Sequence, residues 1–322
     1  MAARGTRKTP DRRQNAPQLG AHPERRVLAP GRREALRREG AQPSQIAVVL
    51  PPVLNMFEEA DASSPVVSQA TLGANVSILE ERSGWALIET PDRYHGWVRS
   101  RALRVFVPGR DPGYPESGSV VEVASLMAQV YGERDVTAAA PFAVAPLLAC
   151  LEVLEEAEEW TRVRLPDGRE GWVQHGDVRF VGEGAVAAEG ADGPEAIAAT
   201  ARRFLGLPYV WGGTTPFGLD CSGLAQLVHR AHGFLLPRDA DQQYGDRRLA
   251  EVPRSALRPG DLVFFGPEEG GIAHVGIVLG GEEFLSATTY RAPTVRVDRL
   301  DDPYWEKLYR GARRRRDDAG RG

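Results

Sequence analysis

The chain has 322 residues, 42% of them apolar, and a formal net charge of −4. That length holds two or three domains of ordinary size, and the mild negative charge gives no case for nucleic acid as a general partner. Two cysteines, Cys150 and Cys221, exclude a disulfide framework, and no apolar run approaches the roughly eighteen residues of a membrane span.

Residues 1–45 differ from everything that follows. Arginine pairs recur at Arg12-Arg13, Arg25-Arg26, Arg32-Arg33 and Arg37-Arg38, with almost nothing apolar between them to bury. Such a composition predicts a disordered basic leader. It suits contact with nucleic acid or anionic lipid, or no contact at all. No apolar core of about 7–15 residues follows the basic stretch, so it is not a secretory signal, and the expected location is the cytoplasm.

From Pro51 to Gly182 the chain repeats itself once. Ile78-Leu-Glu-Glu81, Trp85, Pro91-Asp92 and Gly96-Trp97-Val98 return as Val153-Leu-Glu-Glu156, Trp160, Pro166-Asp167 and Gly171-Trp172-Val173. Short alternating runs separated by a Pro-Asp turn predict β-hairpins with half-buried faces. An internal repeat of this size divides the region into two small strand-rich barrels, residues 46–110 and 111–182. The tips differ, and Tyr94 stands out in the first copy only.

Residues 183–193, rich in Gly and Ala, read as a linker. A helix follows from Pro194, with Ile197, Thr200, Ala201 and Phe204-Leu205 on its apolar side and Gly206 at its end. The loop from Gly206 to Asp220 is rich in glycine and leads straight into a second helix that starts at Cys221. A thiol there lies at the positive end of the helix dipole, a setting that lowers a cysteine's pKa. A small buried cysteine at a helix start is the bland alternative. His229 and His232 lie further along that helix and face solvent or a partner helix. Strands are expected over Leu262–Phe265, Ala273–Leu279, Glu283–Thr288 and Thr294–Val297, and a short helix around Tyr304-Trp305 ends the domain. Helices first and strands second give an α+β order. His274 opens an apolar strand just after Gly270-Gly271, where it serves either as a base or as a structural residue.

Four motifs then agree in order: Pro208-Tyr-Xaa-Trp-Gly-Gly, Asp220-Cys-Ser-Gly, Arg258-Pro-Gly-Asp-Leu and His274-Val-Gly-Ile. Together they resemble the NlpC/P60 cysteine peptidases over residues 194–316, leaving 317–322 as a tail. The paired Gly-Trp-Val hairpins resemble bacterial SH3 (SH3b) domains. The resemblance implies a papain-like NlpC/P60 domain preceded by two small SH3-like β-barrels. It implies cleavage of peptidoglycan stem peptides with Cys221 as nucleophile, His274 as base and Tyr209 as a further donor. The family's third polar residue falls on Ser286, where histidine is usual; a serine hydroxyl holds the imidazole without charge.

Two SH3b domains together with Arg238-Asp239-Xaa-Asp-Gln-Gln resemble the γ-D-glutamyl-L-diamino acid endopeptidases that act on muropeptides with a free N-terminal L-alanine. That likeness implies an amine pocket of Asp239, Tyr94 and Glu59, with Asp220 and Ser222 flanking the nucleophile. Ala240 stands where that family usually has serine. No metal or other cofactor is implied, because no His, Cys or acid cluster has ligand spacing. The partners implied are peptidoglycan-derived peptides, with no nucleic acid and no membrane span. Two rival readings are a non-catalytic wall-binding protein and a secreted autolysin acting on intact wall.

Overall fold

Seven short strands follow one another at the start of the computed structural model, which describes residues 45–107, 110–111, 113–116, 118–181 and 193–316. They are β1 (Gln45–Val49), β2 (Val53–Phe57), β3 (Val66–Thr71), β4 (Asn75–Arg82), β5 (Trp85–Glu89), β6 (His95–Arg99) and β7 (Leu103–Phe106). They join in the order β3-β2-β6-β5-β4-β1-β7. Alternation turns Ala47, Val49, Met56, Ile78, Ile88 and Val98 into one core. On the other face Trp85 and Trp97 are buried under guanidinium groups: Arg99 lies 3.9 Å above Trp85 and Arg82 lies 4.5 Å above Trp97. These tryptophans hold the hairpin together.

The second unit repeats the plan with β8 (Val120–Val123), β9 (Met127–Val130), β10 (Ala143–Pro146), β11 (Cys150–Glu156), β12 (Trp160–Arg164), β13 (Glu170–Gln174) and β14 (Val178–Val181). Its sheets run β13-β12-β11-β8-β14 and β10-β9. This is the order of the first unit with one break. A single bridge, Tyr131 to Trp172, spans the break at the place where Phe57 pairs with Trp97 in the first copy.

The C-terminal unit opens with α1 (Pro194–Arg202) and a two-strand ribbon, β15 (Thr214–Thr215) and β16 (Gly218–Leu219). Then come α2 (Cys221–Ala231), α3 (Ala240–Tyr244), β17 (Leu249–Val252), β18 (Leu262–Phe265), β19 (His274–Gly280), β20 (Glu283–Thr288), β21 (Thr294–Arg299), α4 (Pro303–Leu308) and β22 (Tyr309–Arg315). The sheet order is β17-β22-β18-β19-β20-β21, antiparallel throughout. One face, with Phe264, Val275, Ile277, Leu285 and Ala287, packs under α1 and α2. The other, with Val263, Phe265, Val278 and Phe284, packs on Trp305 of α4.

In the six-stranded sheet two strands were not anticipated, β17 and β22, and the short ribbon of β15 and β16 lies in the stretch read as a loop. Tyr309-Arg-Gly-Ala-Arg-Arg-Arg315, given no element by the sequence, fills the gap between β17 and β18. Its arginines find partners one by one: Arg314 forms an ion pair with buried Asp261 at 2.7 Å, and Arg313 stacks on Tyr244 at 3.9 Å. Paired in this way, guanidinium groups are tolerated in an interior strand.

The units are joined by more than chain connectivity. Leu147 and Leu148 of the second unit belong to the C-terminal core. From the first unit, the Gln69 side-chain oxygen accepts from the Thr214 amide at 3.0 Å, and the Asp92 carboxylate accepts from Gln226 at 2.8 Å. No helix among the described residues is long and apolar enough to cross a membrane. The basic leader lies outside the described residues except Gln45, which opens β1; the linker does so except Gly193; the tail at 317–322 lies outside them entirely.

Candidate active site

Cys221 is the first residue of α2, and Asp220 is the N-cap. The Asp220 carboxylate accepts from the Gly223 amide at 2.7 Å and from Gly212 at 3.0 Å. Its main-chain carbonyl accepts from Leu224 at 2.9 Å. The cap thus uses the third and fourth amides of the helix and leaves those of Cys221 and Ser222 at its open end. Glycine at 223 has a steric cause. A β-carbon there would collide with the carbonyl oxygen of Gly213, so the glycine-rich loop can lie against the first turn only without one.

Arg238 lies beneath the cap and is almost fully buried. Its guanidinium reaches Asp220 Oδ1 at 3.0 Å and Oδ2 at 2.7 Å, Ser222 Oγ at 2.9 Å and Ser68 Oγ of the first unit at 3.0 Å. A planar fork suits this geometry, since it meets both carboxylate oxygens at once. Gln243 of α3 ties the carbonyl of Ser222 to that of Pro237 at 3.0 and 2.8 Å. Asp220 and Ser222 therefore hold the start of α2 through this buried network.

The thiol departs from expectation. Burial pushes Cys221 up to about 11, and the negative charge of Asp220 adds to this. The Val275 and Ser222 amides and the Arg238 charge act in the opposite direction without prevailing. The helix dipole is therefore outweighed by burial and by its own capping carboxylate. A thiolate here needs a cation brought to it. The Val275 amide lies against the sulfur, which sets Cys221 beside the start of β19, one residue from His274. Both cysteines are free.

His274 is buried and pairs in register with Phe265. Its imidazole stacks on Trp305, with centroids 5.1 Å apart and planes at 25°. Ser286, the residue expected to orient it, is fully buried, but its hydroxyl has no hydrogen-bond partner among the described residues. Tyr209 packs half-buried on the main core, its amide donating to Pro293 and its chain bridging Leu219.

Tyr94 does not project into solvent. Its phenol donates to Asp239, 3.4 Å from Oδ1 and 3.3 Å from Oδ2, across the boundary between the first and C-terminal units. Glu59 remains exposed in the turn after β2, where the Ser64 hydroxyl accepts from its amide at 3.1 Å. Its carboxylate takes no hydrogen bond among the described residues. The structure thus joins Asp220 with Ser222 and Arg238, sets the Cys221 sulfur against the amide of Val275, the residue after His274, and joins Tyr94 with Asp239, while Glu59 stays apart.

Of the other histidines, His232 bonds Thr200 of α1 at 2.9 Å, and His229 is buried with neither ring nitrogen hydrogen-bonded among the described residues. Sequence reasoning missed Arg238 and Trp305 as parts of the site. The motif Arg238-Asp239 was visible, but only the network shows that its arginine serves the cap of a helix 18 residues away. No group of three or more metal-ligating side chains occurs among the described residues.

Residues 206–314 match the NlpC/P60 family and residues 52–104 the bacterial SH3 domain. The chain is 27% identical over 258 residues to the γ-D-glutamyl-L-lysine dipeptidyl-peptidase of Bacillus cereus, covering 77% of this chain and 74% of that one. It is 28% identical to the enzyme of the same name from Bacillus subtilis, covering 77% of this chain and 81% of that one. The crystal structure of an NlpC/P60 family protein from Bacillus cereus superposes with a TM-score of 0.73 over 84% of this chain and 99% of that chain, at 22% identity, which establishes a common fold. The C-terminal unit is an NlpC/P60 domain, and a bacterial SH3 domain precedes it.

Proposed function

We propose that this protein is a cysteine endopeptidase that hydrolyses the γ-D-glutamyl–diamino acid bond of peptidoglycan stem peptides bearing a free N-terminal L-alanine. The observation that carries the reading is the position of Cys221: first in α2, its sulfur against the amide that follows His274. The names of the relatives from Bacillus cereus and Bacillus subtilis supply the bond type. The second β-rich unit, with the strand order of the first, reads as a second SH3-like barrel.

The chemistry follows from the electrostatics. Because the isolated thiol is pushed up, the reactive form is a thiolate paired with protonated His274. The thiolate attacks the γ-carbonyl carbon of D-glutamate. The developing oxyanion meets the amides of Cys221 and Ser222, with the Tyr209 hydroxyl as a third donor. The imidazolium passes its proton to the departing amine of the diamino acid and leaves a thioester. Water, deprotonated by the now neutral imidazole, then attacks the thioester, releases L-Ala-γ-D-Glu and restores the thiolate–imidazolium pair.

Substrate length is set at the junction of the first and C-terminal units. Asp239 offers a carboxylate to the terminal ammonium, and Tyr94 closes over it from the SH3 side. An alanine already amide-linked to a glycan carries no such charge and leaves Asp239 unmatched. The test is cleavage of L-Ala-γ-D-Glu-diaminopimelate beside the same peptide acetylated at its amine. Cleavage confined to the free amine and lost in Cys221→Ala supports the reading. Equal cleavage of purified intact wall contradicts the substrate assignment.

A further inference from the structure

A cation buried as deeply as Arg238 needs acceptors for its donors, and one of them comes from outside the catalytic unit. The two terminal nitrogens of its guanidinium meet Asp220 and Ser222 at 2.7 to 3.0 Å. The remaining nitrogen, Nε, donates to the Ser68 hydroxyl at 3.0 Å. Ser68 is itself buried and lies in β3 of the SH3 domain, 170 residues earlier in the chain.

β3 is the edge strand of the seven-stranded sheet, and an edge offers groups for pairing. Here it is met by the glycine-rich loop that leads into Cys221. The Gln69 side-chain oxygen accepts from the Thr214 amide at 3.0 Å, and its main-chain carbonyl accepts from the Thr214 hydroxyl at 3.4 Å. A β-carbon on Gly212 would come within 2.8 Å of a Val66 methyl, so strand and loop meet with no room for a side chain. The Gly212 amide in turn donates to Asp220. A second strut reaches α2 itself, where buried Gln226 donates to Asp92 of the SH3 domain at 2.8 Å. The edge that supports the loop therefore also supports, through Arg238, the carboxylate shared by the loop and the start of the helix.

We propose that Ser68 is a positioning residue for the nucleophile. By accepting from Arg238 it fixes the plane of the guanidinium, hence the Asp220 carboxylate, and hence the amides of Cys221 and Ser222 that receive the oxyanion. This rests on the reading of Cys221 as the nucleophile. A planar fork held on two of its edges cannot turn. Held by Asp220 and Ser222 alone, it would keep an unmet buried N–H, and turning to satisfy that donor would loosen its grip on the carboxylate. Asp220 would then cap Gly223 and Gly212 less firmly, and the first turn of α2 would open.

The test compares the wild-type full chain with Ser68→Ala and Ser68→Cys. Hydrogen exchange over residues 209–226, read by mass spectrometry without any peptide, is expected to run about tenfold faster in Ser68→Ala, because the Gly212 and Gly223 amides lose protection. On the free-amine tripeptide, kcat is expected to fall about tenfold with KM changed by less than about twofold, since the loss falls on the transition state. A serine that only stiffened the fold would lower the unfolding midpoint and leave kcat alone. Ser68→Cys keeps the volume but offers a poor acceptor, and is expected to change both readouts about threefold. It carries the test should the alanine variant not fold. Exchange needs no cleavage, so it judges the link from Ser68 to the cap separately from the substrate assignment. Unchanged exchange in the folded variants, or faster exchange with kcat unchanged, overturns the proposal.

Discussion

The phenolic oxygen of Tyr94 lies 3.3 Å from Oδ2 of Asp239, though 145 residues separate them in the chain. The contact runs from the SH3 domain to the NlpC/P60 domain, so the proposed amine pocket exists only when the two are docked. Removing the hydroxyl alone, as in Tyr94→Phe, deprives the carboxylate of a donor without disturbing the ring. A hydrogen bond to a charged group contributes about 1.5–3 kcal/mol. KM for the free-amine tripeptide is therefore expected to rise about tenfold or more with kcat little changed, as steady-state kinetics on the two proteins would record.

The second prediction concerns the thiol. With Cys221 at about 11 when unpaired, only about one molecule in ten thousand is thiolate at pH 7. His274→Ala should therefore leave an alkylation rate that is negligible at neutrality and rises in a single step near pH 11. The wild-type protein should react readily at pH 7. A His274→Ala variant that reacts as fast as wild type at neutrality would show that the thiol is activated by something other than the imidazole.

The third lies beneath the site. Arg238 holds both oxygens of Asp220, at 3.0 and 2.7 Å. Arg238→Met removes the cation and leaves a buried carboxylate uncompensated, which costs about 3–5 kcal/mol. It also releases Ser68. Denaturant titration should show that loss, and Arg238→Lys should recover little of it, because an ammonium cannot span two carboxylate oxygens and two hydroxyls in one plane.

The fourth uses His229. Burial, then the charges of Arg315 and His232, lower its pKa from 6.5 to about 3. The folded protein keeps this ring neutral while the unfolded chain takes up a proton below 6.5. Stability from this group is therefore complete above pH 6.5 and declines as pH falls toward 3, by about 1.4 kcal/mol per unit. His229→Leu should lose that component. Comparing urea denaturation of the two proteins at pH 7 and 4.5 should show wild type giving up about 3 kcal/mol more than the variant.

Much of this was legible in the residues, for identifiable reasons. The duplicated Trp and Gly-Trp-Val spacing marks hairpins because alternation and Pro-Asp turns are local signals, and both copies adopt the same strand order. Asp220-Cys-Ser-Gly marks a capped helix because a cap is local too. What could not be read depends on contacts between distant segments. The arginine-rich strand β22 carries no alternating apolar signal, and only Asp261 and Tyr244, placed beside its arginines, explain it. The helix dipole at Cys221 was visible, but the burial that overrides it was not. Trp305 was an aromatic in a terminal helix, and only folding brings it onto His274. Tyr94 was visible as a difference between two repeats, and the resemblance grouped it with Asp239; the hydrogen bond that joins them is seen only in the fold.

The most direct test is a timed digestion of L-Ala-γ-D-Glu-diaminopimelate and L-Ala-γ-D-Glu-L-lysine, each with a free and an acetylated N-terminus, by wild-type protein and Cys221→Ala, followed by mass spectrometry. The account predicts release of L-Ala-γ-D-Glu from free-amine peptides by wild-type protein alone. Products from the acetylated peptides at the same rate, or cleavage that persists in Cys221→Ala, would contradict it.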